Sequence, residues 1–107
     1  MKNSIVILKP AREDIDDIFD FVSCNDSIEN AENIIHHIEE KIRSLSKMAE
    51  RGHIPPELIH TGFSDFREVH HKPFRIIYQL IEDNVFIHCV LDGRRNISDL
   101  LERRLLR

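Results

Sequence analysis

Glycine is scarce in this chain, with three residues in 107, and none sits in a glycine-rich run. That excludes the phosphate-cradling loops of nucleotide-binding folds, which bring several backbone amides close to an anion. Cysteine is scarcer still. Cys24 and Cys89 lie far apart with no Cys-x-x-Cys spacing, which excludes a thiolate zinc site and a disulfide framework. One falls on a predicted helix and the other on a predicted strand, and both are expected to be reduced core thiols, as in a cytoplasmic protein. No apolar run approaches the ~18 residues of a membrane span. The apolar run near the N-terminus is too short for a signal peptide and reads as a strand. Histidine is plentiful at seven residues. However, His36-His37 and His70-His71 are adjacent pairs, not the i, i+4 pairs that share one ion on a helix. No metal and no cofactor are expected.

What is present fits one domain over residues 1–107 with a single core. Hydrophobic content of 41% and charged content of 32% are those of an ordinary globular chain. The net charge of −4 is unevenly spread: residues 1–65 carry 7 Lys/Arg against 13 Asp/Glu, and residues 66–107 carry 8 against 6. Overall acidity argues against broad nonspecific nucleic-acid binding, which depends on neutralising phosphates. A local basic site in the second half stays open.

The elements follow from periodicity. Asn3–Leu8 is predicted as the first strand, and its consecutive Ile5, Val6, Ile7 and Leu8 predict a central position or two covered faces. A helix is predicted over Pro10–Cys24, with Ile15, Ile18, Phe19 and Val22 forming one stripe. Its acids Glu13, Asp14, Asp16 and Asp17 read as a solvated face near the positive end of the helix dipole. Asp26, followed by Glu29, predicts a capping box opening a second helix that runs to about Arg51. Ile28, Ala31, Ile35, Ile38, Ile42, Leu45 and Ala49 are spaced 3, 4, 3, 4, 3, 4. That seam should pack antiparallel on the first helix. Gly52 is placed as the helix-ending C′ residue. The stretch from Gly52 to Asp65, with Pro55, Pro56 and Gly62, reads as a loop with one helical turn near Pro56–His60. A last helix, Ile97–Leu106, is expected to be capped by Asn96, with Leu100, Leu101 and Leu105 on its apolar side.

Between them lies a three-strand meander, Phe66–His71, Phe74–Ile81 and Val85–Leu91, rich in β-branched and aromatic residues. Pro73 suits a strand start, and Glu82-Asp83-Asn84 has turn chemistry. Tyr78, the only tyrosine, shares a side with Phe74 and Leu80 and reads as core. The order β-α-α-β-β-β-α predicts an α+β fold: a twisted, mainly antiparallel sheet with an N-terminal helical hairpin on one face. Arg67, His70, His71, Lys72, Arg75, His88, Arg94 and Arg95 punctuate the meander, a pattern suited to an anion or an acidic partner. Adjacent His70 and His71 must point to opposite faces of their strand, so at most one serves a given site.

Arg67-Glu68-Val69, Lys72-Pro73-Phe74-Arg75-Ile76-Ile77-Tyr78 and Val90-Leu91-Asp92-Gly93-Arg94-Arg95, in this order behind a helical hairpin, resemble the RelE/ParE superfamily of type II toxin–antitoxin toxins. The resemblance leans to the ParE-like branch, also called plasmid stabilisation proteins. It implies a growth inhibitor that binds DNA gyrase and is neutralised by a cognate antitoxin, whose disordered segment buries apolar side chains beside the sheet and helices. A homodimer or a hetero-oligomer with antitoxin is compatible with it. The alternative within the superfamily is a RelE-like ribosome-dependent messenger-RNA endoribonuclease, for which Arg67, His71, Arg75 and Arg94 are the candidate catalytic residues. A third reading is a non-toxic partner-binding module of the same fold. Asn96–Arg107 has no His or Tyr to act as acid or base, and arginine is a poor proton shuttle. That favours binding over cleavage, with Arg75, Arg94 and Arg95 as the partner-binding set.

Overall fold

The computed structural model describes residues 2–62, 65–94 and 97–105. Strand β1 (Ser4–Ile7) leads into an antiparallel hairpin of helices α1 (Lys9–Asn25) and α2 (Ile28–Ser44). Two short 3₁₀ turns, Ala49–Arg51 and Pro56–Leu58, precede β2 (Phe66–His71), β3 (Phe74–Ile81), β4 (Asn84–Asp92) and α3 (Ile97–Leu105). The sheet order is β1-β4-β3-β2, with β1 parallel to β4 and the other pairs antiparallel. This is the α+β architecture expected from the element order.

The sheet divides two apolar layers. Ile38, Ile42 and Leu45 of α2 and just beyond, with Ala11 and Ile15 of α1, pack on Val69, Phe74, Ile76, Tyr78, Val85, Ile87 and Val90. On the other face, Ile97 and Leu101 of α3 pack on Phe66, Ile77, Cys89 and Leu91, with Leu58 from the second 3₁₀ turn. A register shift at Ile77/Tyr78 pairs Ile77 with Cys89 and Tyr78 with Ile87, leaving His88 as the extra residue of a bulge. The bulge changes the alternation of β4, so that Ile87 and Val90, three apart, both face the helical hairpin.

Several local expectations are corrected. Strand β1 is an edge strand, and Val6 is 40% exposed; its apolar run reflects neither a central position nor two covered faces. The cap of α2 is Ser27, with φ −153 and ψ 157, whose hydroxyl accepts from Asn30 N at 3.0 Å. Asp26 instead holds the Asn30 side chain at 2.6 Å. A hydroxyl one position later reaches the third helical amide, which is what capping requires. Helix α2 ends at Ser44 rather than Arg51, and Gly52 is no left-handed cap, since its φ is −72 and its ψ 165. Gly52 is required for space: a Cβ there would lie 2.7 Å from the Glu68 carbonyl oxygen and 2.5 Å from Tyr78 Oη. Buried Tyr78 accepts from Gly52 N at 3.2 Å and donates to the Ala49 carbonyl, so its hydroxyl is satisfied inside the core. Cys89 is buried, and burial raises its thiol to about 11, but Cys24 is exposed and is not a core thiol. The turn between β3 and β4 is Glu82-Asp83, with Glu82 at φ 55, and Asn84 already belongs to the strand. Asn96, the expected cap of α3, and Leu106 and Arg107 at its end lie outside the described residues.

The acidic stripe of α1 holds the largest departure. Glu13, Asp16 and Asp17 are solvated, but Asp14 is buried. Strand β1 stops at Ile7, opposite Ile87. Beyond that point Asp14 accepts from the β4 amide of Val90 at 3.0 Å and takes a two-pronged contact from Arg104 of α3, both bonds 2.7 Å. That contact raises the Arg104 guanidinium further above its ordinary value, with burial opposing it. One carboxylate thus ties α1, β4 and α3 together.

The seam of α2 yields a direct test. Ile38 has no exposed surface, while Ile28, at the start of the predicted seam, is 63% exposed. Ile38→Ala should cost about 2–4 kcal/mol, because transfer and cavity terms add. Ile28→Ala should stay within about 0.5 kcal/mol. Urea unfolding of both variants measures the contrast, and equal losses would put the buried face of α2 elsewhere.

Candidate functional site

Antiparallel pairing builds a charged cluster on the α3 face of the sheet. His53 forms an isolated bridge with Glu68, exchanging backbone bonds of 3.2 and 2.7 Å. Residues directly opposite in such a pair share a face. His70, two residues along β2, shares it too, and Arg75 lies opposite His70 in the β2–β3 register. The guanidinium of Arg75 holds Glu57 through two 2.8 Å bonds and Glu68 Oε2 through Nε at 2.7 Å. Glu68 Oε1 faces His53 Nε2 at 2.9 Å and His70 Nε2 at 3.5 Å. Glu68 is 2% exposed.

The electrostatics follow from these contacts. Arg75 lies further above its ordinary value chiefly because of Glu57, with Glu68 adding to it and burial opposing. Glu57 lies below its ordinary value, first through the same pair, against partial desolvation. Gly93 makes the arrangement possible. It donates to the Pro73 carbonyl at 2.7 Å, and a Cβ on it would come within 3.1–3.2 Å of the Arg75 stem. The glycine of Asp92-Gly93-Arg94-Arg95 is therefore a close-approach position as well as a turn residue.

The residues singled out in the sequence do not converge. Arg67 points to the hairpin side, with Nη1 on the Gly52 carbonyl at 3.2 Å. His71 is on that side as well, stacked on His37 of α2 with ring centroids 5.0 Å apart. Burial lowers His71 below the ordinary imidazole value, and His37 and Lys41 push the same way. Arg75 is on the opposite face, fully engaged with carboxylates. Arg94 is 72% exposed and clamps Asp92 through bonds of 2.7 and 3.0 Å. Arg95 lies outside the described residues. His88 belongs to a separate chain, Asp65–Gln79–His88, and burial lowers it. Glu57 and His53 were not singled out at all. A carboxylate behind Pro55-Pro56 and a histidine next to Gly52 carry no periodic signal, and both enter the cluster only through chain path.

A second feature is a groove of about 730 Å³ between the helical hairpin and the end of the sheet. Its apolar lining includes Ile18, Phe21 and Val22 of α1, Ile34 of α2, Phe74 and Leu91. Asp17 and Asp26 are on its rim with Arg94. Phe21 is 66% exposed and continuous with the other apolar residues of this groove, and it is such contiguous patches that mark binding surfaces. Among the described residues, no helix is long and apolar enough to cross a membrane.

Comparison with known proteins agrees with this architecture. The chain is similar in structure to a chromosomal ParDE toxin–antitoxin system from P. aeruginosa, with a TM-score of 0.69 and 20% identity over 83% of this chain and 94% of that one. It is also similar to the RelBE2 toxin–antitoxin complex from Mycobacterium tuberculosis, with a TM-score of 0.62 and 15% identity over 84% and 96%. At such identities the likeness is one of fold. No curated protein matches the sequence. Residues 5–97 do match the family described as ParE toxin of type II toxin-antitoxin system, parDE. With that match spanning most of its length, the chain belongs to the ParE toxin family.

Proposed function

We propose that this chain is the toxin of a type II toxin–antitoxin module that arrests growth from the cytoplasm by binding DNA gyrase, and that a cognate antitoxin neutralises it. The observation that carries the antitoxin half is the groove. Its apolar floor and acidic rim suit a segment with alternating apolar anchors and Lys or Arg, ordered on binding. Charge complementarity would set its orientation and on-rate. For the target, the support is the exposed cation Arg94 beside Arg95. Arg94 is exposed enough to meet an acidic protein surface while paired with Asp92, whereas Arg75 is enclosed by two carboxylates inside the cluster.

A second reading, the RelE-like ribonuclease, gains from the cluster itself. Two carboxylates and two imidazoles stand around Arg75, a set able to move protons that the C-terminal segment lacks. Mapping transcript ends after induction separates the two. Binding predicts intact messenger RNA with rising DNA-damage signalling, and loss of toxicity in Arg94→Ala/Arg95→Ala with the fold retained. Translation-dependent cuts within codons, lost with His53→Gln or His70→Gln, would establish the nuclease. Normal growth at verified expression would leave the non-toxic module.

The groove has its own expected result. Phe21→Asp should weaken antitoxin binding by about tenfold or more, as truncation of a central aromatic anchor does. Unfolding stability should barely change, because the ring is exposed in the free chain. Calorimetric titration with the product of the adjacent reading frame measures it, and unchanged affinity would remove this groove as the docking site.

A further inference from the structure

The geometry points to a divalent transition-metal site formed by His53, Glu68 and His70, with zinc the best chemical fit. The three donor atoms lie within 4.8 Å of one another. Both imidazoles present Nε2 to the same carboxylate oxygen, Glu68 Oε1, at 2.9 and 3.5 Å. A hydrogen bond accounts for the shorter contact, whereas 3.5 Å is too long for a good one. It is close to the ~3.4 Å that separates neighbouring ligands around tetrahedral zinc with bonds of about 2.0–2.1 Å. Opening the His53 contact by about 0.5 Å and swinging the two imidazoles together completes three corners. Both histidines are exposed enough to move and to admit an ion, while Glu68 is fixed.

The surroundings of Glu68 are those of a supported ligand. Arg75 Nε binds Oε2 at 2.7 Å, which leaves Oε1 aimed at the imidazoles. Hydrogen-bonded carboxylates of this kind orient ligands around metal sites. The charge of Arg75 would repel a cation, but Glu57 offsets it through two 2.8 Å bonds. Two nitrogens and one oxygen favour zinc or a similar borderline ion over magnesium or calcium, which take oxygen ligands. Three protein ligands leave the fourth position for water or a partner's side chain.

The test uses the full chain without a histidine tag, titrated with zinc chloride or cobalt chloride alone. Calorimetry should find about one zinc per chain, and the cobalt form should show the intense visible bands of low-coordinate geometry. His53→Gln and His70→Gln should each weaken zinc binding by about tenfold or more, while His36→Gln on α2 leaves it unchanged. Absence of stoichiometric zinc binding would overturn the site. So would zinc binding that survives His53→Gln and His70→Gln together, or a purely octahedral cobalt spectrum on the unmodified chain, a readout that needs no variant to fold.

Discussion

Asp14→Ala should destabilise the fold by about 4 kcal/mol, because it breaks two kinds of interaction at once. Removing one partner of a buried ion pair costs about 3–5 kcal/mol where the other charge stays buried. Arg104 is partly exposed and can turn to water, which reduces that term. The Val90 amide has no such escape. It donates to Asp14 Oδ2, and a buried donor left without an acceptor costs about 1–3 kcal/mol. Asp14→Asn keeps an acceptor for Val90 and removes the charge, so it should recover part of the loss. Urea unfolding measures both, and amide exchange should show α3 opening first in Asp14→Ala. A loss under about 1 kcal/mol would mean that Asp14 is as solvated as Asp16 and Asp17.

Arg75→Ala should cost about 3 kcal/mol. Glu68 stays buried beside Glu57 without its guanidinium partner, and only His53 and His70 are left to compensate; their presence puts the loss at the low end for a broken buried pair. The variant should also change the acid limb of stability. Glu57 is held below its ordinary value mainly by Arg75. A depressed carboxyl contributes stability above its unfolded value of about 4.3 and loses it as pH falls through the folded value. The unmodified chain should therefore lose stability below about pH 4.3 through this group, and Arg75→Ala should have a flatter dependence there. Replacing Glu57, Glu68 and Arg75 together by apolar residues of similar volume should cost less than Arg75→Ala alone, since well-packed substitutes avoid the desolvation of three charges. If the triple variant is the worse of the two, the cluster is a net source of stability, contrary to this account.

What the sequence by itself determined is the period inside each element, though not where its buried stretch begins and ends, as exposed Ile28 in the α2 seam shows. The run Phe74–Ile81 is a strand with those bounds, and Ile38 and Ile42 are buried, because alternation by two or by three and four is written in neighbouring residues. Ser27 and Asp26, one apart and both able to cap, already strain that resolution; only the backbone geometry chose between them. The family resemblance was legible for the same reason, since its motifs lie on contiguous strands. Tertiary structure alone decided the rest. Asp14 and Asp17 are the same residue type on the same helix, yet one is buried because α3, 90 residues away, returns to meet it. Strand β1 reads as a central strand or one with two covered faces, and its edge position depends on where β4 pairs. Arg67 and Arg75 look equivalent until strand register puts them on opposite faces of the sheet. His53 reaches Glu68 only through the isolated bridge between their backbones. These are properties of chain path and register, and burial, charge pairing and site chemistry depend on distances in space that local preferences do not specify.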